Sequence, residues 1–119
     1  MRKFASVLLF FAVIACVEAA EKKVLTIGNS FSWSLKEHLP AIAKAQGDKL
    51  KLTFANHGGC SIQRHWKYVT EEEAQPDKKY YSLNRKKAKL REVLASDKWD
   101  IVTIQQVSTQ SWVKGSFYP

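Results

Sequence analysis

Hydrophobic and polar positions along the chain resolve into three short apolar runs separated by longer amphipathic stretches. Val24-Leu25-Thr26-Ile27 and Ile101-Val102-Thr103-Ile104 are nearly unbroken in aliphatic and β-branched residues, the pattern of strands covered on both faces. Leu50-Lys51-Leu52-Thr53-Phe54-Ala55 alternates with Lys51 and Thr53 and reads as an edge strand. Between the first two runs, Leu35, Leu39, Ile42 and Ala43 share one helical face, Ser34 with Glu37 forms a capping-box signature, and Gly47 closes the segment. Pro40 either kinks that helix or moves its start to Leu39. Between the second and third runs come a loop, a polar stretch around Glu71 to Asp77, and a second predicted helix. In it Leu83, Leu90, Val93 and Leu94 recur at helical spacing behind Ser82 as N-cap.

The order is β-α-β-α-β. Right-handed crossovers then predict a three-layer α/β/α arrangement with parallel strand order 2-1-3 and the two helices on opposite faces. The first strand is central, and its carboxyl end opens onto the switch point where open α/β sheets bind ligands. Gly28-Asn29-Ser30-Phe31-Ser32 follows that strand immediately.

Upstream of the first strand the pattern changes. Met1-Arg2-Lys3 is basic, and Phe4 to Ala15 is small or apolar apart from Ser6, about half the length that spans a bilayer. With Val17 and Ala19 as small residues before a cleavage point, residues 1–19 read as a secretory signal peptide, leaving 20–119 as the folded part. Val13-Ile14-Ala15-Cys16 also resembles a bacterial lipobox, in which Cys16 would carry a lipid anchor. Either reading predicts export to the periplasm or the exterior. Loss of Cys16 would leave Cys60 as the single thiol, with no internal disulfide.

Charge modifies this picture only slightly. The 119 residues carry 19 Lys and Arg against 11 Asp and Glu, a net +8. Much of the excess falls between Arg64 and Arg91, as expected of the solvated face of the second helix, with docking of that helix to an anionic polymer as a second reading. Export argues against nucleic acid as a partner.

Three polar clusters end the three predicted strands. A serine at a tight strand-to-helix turn, as Ser30 is behind Gly28, presents its hydroxyl to the crevice while nearby amides can hold an oxyanion. Its bland reading is an N-cap. The second strand runs into Asn56-His57-Gly58-Gly59-Cys60-Ser61, where a glycine pair allows close approach of backbone to a ligand or simply makes a turn. The third ends in Gln105-Gln106-Val107-Ser108.

Together these segments resemble the SGNH hydrolases, the GDSL-type esterases and lipases. Val24 to Ser32 is similar to their first block, with Asn29 where Asp is usual; Asn56-x-Gly58 is similar to the second; and Trp99 to Gln105 is similar to the strand leading to the third. The set of GNSF, GGCS and a Trp-Asp strand ending in Gln-Gln looks closest to an uncharacterised SGNH-like family of exported bacterial proteins. The resemblance implies a flavodoxin-like SGNH fold, Ser30 as nucleophile and first oxyanion donor, and Gly58 as second donor with Gly59 as the alternative. Gln106 would stand in for the third-block Asn, since Val107 and Thr109 occupy its usual places. It implies no cofactor and no metal.

The Asp-x-x-His element that activates the serine in that family does not occur in this sequence. His38, on the first helix, and His65, in the basic loop, are read as surface or structural; His57 neighbours the proposed oxyanion glycine without being marked as a base. The family's domain is about twice as long, so the chain is expected to be the N-terminal portion of one, marginal in stability and inactive alone. The expected function is that of an exported serine ester hydrolase acting on a small-molecule or glycan ester, any membrane attachment being confined to Cys16. The alternative is a non-catalytic module binding glycan or cell-surface polymer. Substrate, oligomeric state and catalytic base stay open.

Overall fold

The structure is a computed structural model, and it describes residues 20–118. Residues 1–19, expected from the sequence to be a signal peptide, and with them Cys16, lie outside that range. Strand β1 (Glu21–Gly28) is followed by a short helix α1 (Ser30–Trp33), helix α2 (Leu35–Ala45) and strand β2 (Lys49–Asn56). Then come helix α3 (Ile62–Ala74), the two short strands β3 (Tyr81–Leu83) and β4 (Lys86–Ala88), helix α4 (Leu90–Ala95), strand β5 (Ile101–Ile104) and a 3-10 turn at Lys114–Phe117.

β2, β1 and β5 form a parallel sheet in that order, as the sequence pattern predicts. β1 is central: Val24 pairs with Leu52 on one side and Ile101 on the other, and Gly28 is level with Asn56. Successive side chains of a strand point to opposite faces. Leu25 and Ile27, with Ala55 level with Ile27, pack against Leu90 and Val93 of α4 and against Tyr81 and Ala88 of the β3–β4 hairpin, with Tyr68, Val69 and Trp99 around them. Leu25 and Val93 are completely buried and form the centre of this core. α2 packs on β2, with Ala43 buried.

Several local expectations are corrected. Of the two starts offered for α2 the earlier is observed: it begins at Leu35, not Leu39, and carries Pro40 in its interior. Ser34 makes no capping box, because its backbone is already helical, and its hydroxyl donates to Phe31 O at 2.7 Å. The stretch read as loop and polar linker is α3, capped by Ser61, whose Oγ accepts from Arg64 N at 3.2 Å. The predicted basic helix from Ser82 is a hairpin followed by a six-residue helix. Asn84 (φ 51°) and Arg85 (φ 66°) occupy consecutive left-handed positions, the requirement of a type I′ hairpin turn. The basic residues therefore divide between hairpin and helix: Lys86 and Lys87 are exposed on β4, whereas Arg91 on α4 meets Glu73 at 2.7 Å.

The hairpin is fixed by Glu72, buried on α3. One carboxylate oxygen accepts from Tyr80 N at 2.8 Å and the other from Leu90 N at 2.9 Å. A buried carboxylate is tolerated where its lone pairs are filled in this way. At the amino end of the sheet, Asp97 meets Lys23 Nζ at 2.6 Å and Asp100 accepts from Lys23 N at 2.8 Å.

Candidate active-site rim

The three strand ends are gathered by one side chain. Asn29 is only 1% exposed, and its Oδ1 caps α1 by accepting from Phe31 N at 3.1 Å. Its Nδ2 donates to Cys60 O at 3.2 Å, beyond β2, and to Gln106 O at 3.3 Å, beyond β5. Two donors and an acceptor are all used, an inventory that an amide satisfies and a carboxylate cannot. Asn in place of the resembled family's Asp is thus explained by its partners. The ladder also runs on past the strands: His57 N donates to Gly28 O at 3.0 Å and Gln105 N to Ile27 O at 2.9 Å.

Ser30 is the next residue, the first of α1, and it is exposed. Its hydroxyl bonds to no protein group among the described residues, so it is not the cap; Asn29 is. Gly58 and Gly59 form an exposed turn, two and three residues past the Asn56 level, just as Ser30 is two past Gly28. The ladder therefore brings the serine turn and the glycine turn to the same rim. Gly59 has φ 59°, where a side chain is strained, and both glycines face open space.

Cys60, next in the turn, is buried, and burial pushes its thiol pKa up, so it stays protonated and unreactive. Ser32 turns inward and donates to Gln105 Oε1 at 2.5 Å. That pair closes over Gly28, where an added Cβ would clash with Ser32 Oγ and meet Gln105 Oε1 at 3.1 Å.

Gln106 does not act as the sequence comparison implied. It is buried: its Oε1 accepts from Ile62 N at 3.0 Å and Val107 N at 2.9 Å, and its Nε2 donates to Ser116 O at 2.5 Å and Gln63 Oε1 at 3.3 Å. Both amide hydrogens are committed, and Gln106 is a strut beneath the rim.

The histidines also separate by environment. His65 lies on α3, not in a loop, and is 4% exposed. Its Nε2 is 2.9 Å from Gly28 O and its Nδ1 is 2.8 Å from Tyr81 OH. A carbonyl only accepts, so Nε2 carries the proton, and in the neutral ring Nδ1 accepts from Tyr81. Burial lowers its pKa and favours that neutral form. His57 packs among aromatic rings, 5.0 Å from those of both Tyr68 and Tyr81. Burial, then Arg64 and Lys87, lowers its pKa too, and its Nε2 has no hydrogen-bond partner. His38 is exposed on α2. The described residues include no cluster of side chains fit to hold a metal ion.

Alongside the serine turn, beyond β5, runs an open groove of about 360 Å³, whose lining includes Phe31, Ile104, Gln105, Gln106, Ser108 and Phe117. Sequence reasoning had no signal for the Asn29 clamp, the Ser32–Gln105 bond or His65, because each joins residues more than 30 positions apart. Only the polar ends of apolar runs marked the neighbourhood.

No protein-family model and no curated protein matches the chain. Among solved structures it is similar to a DUF4886 family protein from Bacteroides uniformis ATCC 8492, with 29% identity and a TM-score of 0.62. The match covers 82% of this chain and 40% of that protein, so the chain spans less than half of its length. No helix among the described residues is long and apolar enough to cross a membrane.

Proposed function

We propose that the chain carries the nucleophile portion of an exported SGNH-like serine ester hydrolase. In this reading Ser30 Oγ attacks the ester carbonyl, and the oxyanion is held by the amide of Ser30 together with that of Gly58, or of Gly59 beside it. The alkoxide leaves with a proton, and water then cleaves the acyl-serine to release the acid and restore the hydroxyl. The observation that carries the reading is the contrast at the rim. Asn29 is bonded at both polar atoms of its side chain and holds the turn still, while its neighbour Ser30 is exposed with its hydroxyl unused.

The serine proton needs a base. His65 has both ring nitrogens engaged and His57 lies among Tyr68 and Tyr81, so in this reading neither of them serves as the base. A base supplied in solution tests this. Hydrolysis of p-nitrophenyl acetate by the folded chain is expected to show a component that saturates with substrate, rises with added imidazole and vanishes in Ser30→Ala. Equal imidazole-dependent rates in the parent and in a Ser30→Ala variant of matching circular dichroism would overturn the proposal.

A further inference from the structure

The basic stretch of the chain surrounds the β3–β4 hairpin, and its charges are unevenly spent. Seven of the fourteen residues 78–91 are Lys or Arg, and none is Asp or Glu. Four of the seven have partners. Arg91 meets Glu73 at 2.7 Å, Lys79 lies 3.9 Å from Glu92, Lys89 Nζ donates to Glu72 O at 2.6 Å, and Lys78 Nζ donates to Tyr80 OH at 3.5 Å. Arg85, Lys86 and Lys87 have no such partner among the described residues. They are consecutive and exposed, from the hairpin turn into β4. Three like charges held this close repel one another, and a polyanion laid against them would relieve the repulsion.

Two grooves meet at this hairpin. One, of about 470 Å³, has Lys79, Lys86 and Lys87 in its lining; the other, of about 200 Å³, has Lys51, Thr53, Ser82 and Trp99; and Leu83 and Asn84 line both. The hydroxyls of Thr53 and Ser82 and the side-chain amide of Asn84 bond to no protein group among the described residues. The acids beside them are already neutralised. Glu92 has Lys79 and accepts from Lys89 N at 2.8 Å, and Asp97 has Lys23 at 2.6 Å and Lys51 at 4.0 Å. Unpaired cations thus border unbonded neutral donors and acceptors.

That combination narrows the partner. A lipid surface calls for apolar side chains that enter it, and the hairpin turn exposes none, Leu83 being half-buried. Single-stranded nucleic acid calls for a stacking face per base. Tyr81 is buried and Tyr80 is stacked on Tyr68 at 4.2 Å, which leaves Trp99 alone, itself half-buried. A polysaccharide with carboxylates along a hydroxyl-rich chain meets every group: anions for Arg85, Lys86 and Lys87, hydroxyls for Thr53, Ser82 and Asn84, and a sugar ring for Trp99. We infer that the β3–β4 hairpin is a docking surface for an acidic polysaccharide. None of its residues belongs to the serine or glycine turn, so the inference stands without the ester chemistry.

Fluorescence anisotropy of fluorescein-labelled polygalacturonate oligomers, titrated with the folded chain at rising sodium chloride, tests this. Binding is expected to saturate and to weaken with salt. Arg85→Gln/Lys86→Gln/Lys87→Gln should lose about tenfold in affinity and most of the salt dependence. Lys36→Gln/Lys44→Gln/Lys114→Gln removes the same charge from exposed positions elsewhere and should stay within about twofold of the parent. Ser82→Ala should lose about threefold with the salt dependence intact. All seven positions are exposed, and circular dichroism matching that of the parent verifies each fold. Equal losses in the two triple variants would reduce the effect to net charge and overturn the inference, as would the absence of saturable binding. Tighter binding of oligothymidylate, or of vesicles containing phosphatidylglycerol, at equal anion concentration would overturn it in favour of nucleic acid or membrane.

Discussion

Replacing Asn29 by aspartate changes one NH2 group to an oxygen and barely alters shape, yet it strikes every bond that gathers the rim. Asn29 Nδ2 donates to Cys60 O and Gln106 O, at 3.2 and 3.3 Å. A carboxylate loses both bonds, each worth about 1 kcal/mol net, and turns a negative charge toward two carbonyl oxygens that are left unsatisfied at about 1 kcal/mol or more each. At 1% exposure little water reaches the site to compensate. The sum is about 3–5 kcal/mol, close to the whole stability of a small domain. With a urea m-value of about 1 kcal/mol/M, the midpoint should fall by about 3 M or the cooperative transition should disappear.

The pH dependence gives a second check. In the folded variant, burial and the two carbonyls raise the pKa of the introduced carboxyl above its unfolded value of about 3.9. The variant's deficit relative to the parent should therefore be greatest at pH 7 and shrink as pH falls toward about 4, where a protonated carboxyl regains one donor. Urea unfolding followed by tryptophan fluorescence and circular dichroism, on both chains at each pH, measures this. An Asn29→Asp chain within about 1 kcal/mol of the parent at pH 7 would refute the clamp.

Other expectations follow from neighbouring contacts. Gly28→Ala forces a Cβ against Ser32 Oγ and Gln105, and should cost about 1–3 kcal/mol; removing the hydroxyl as well, in Gly28→Ala/Ser32→Ala, should restore part of it in urea unfolding. His65 and His57 both titrate below the ordinary imidazole range when folded, so the unfolded chain binds more protons, and stability should decline as pH drops below about 6.5. His65→Gln should flatten that decline, and an unchanged slope would remove His65 from the explanation. Tyr81→Phe strips the donor from His65 Nδ1 and should destabilise by about 1–2 kcal/mol, read as a shifted urea midpoint. Val102 is exposed on β5, the edge strand among the described residues, so self-association through that edge, read by sedimentation at rising concentration, should be weaker in Val102→Lys than in the parent, with the unfolding midpoint nearly unchanged.

The sheet was legible because its strands are short runs with strong β propensity, and a parallel order follows once helices separate them. β1, β2 and β5 appear where their apolar runs place them, with β1 central. α3 was not legible for a definite reason. The two residues it buries most fully are His65 and Glu72, so the apolar period that betrays a helix is interrupted at the positions facing inward. The hairpin was hidden by Asn84-Arg85, which takes two left-handed positions without the glycine that usually announces such a turn. At the rim, sequence indicated which strand ends to inspect. It did not reveal that Asn29 is the bracket, that Gln106 points inward, or that His65 fixes the Gly28 carbonyl, since those facts are distances between remote segments.

The central proposal, that the exposed Ser30 serves as the nucleophile, is tested most directly by a fluorophosphonate. Reaction forms a Ser30 Oγ–P bond and expels fluoride, with imidazole taking the proton. Peptide mass spectrometry of the folded chain should find the adduct on Ser30 in clear excess over the exposed Ser34, Ser108 and Ser111, with the excess lost in urea. Labelling spread evenly over these serines, folded or unfolded, would contradict it.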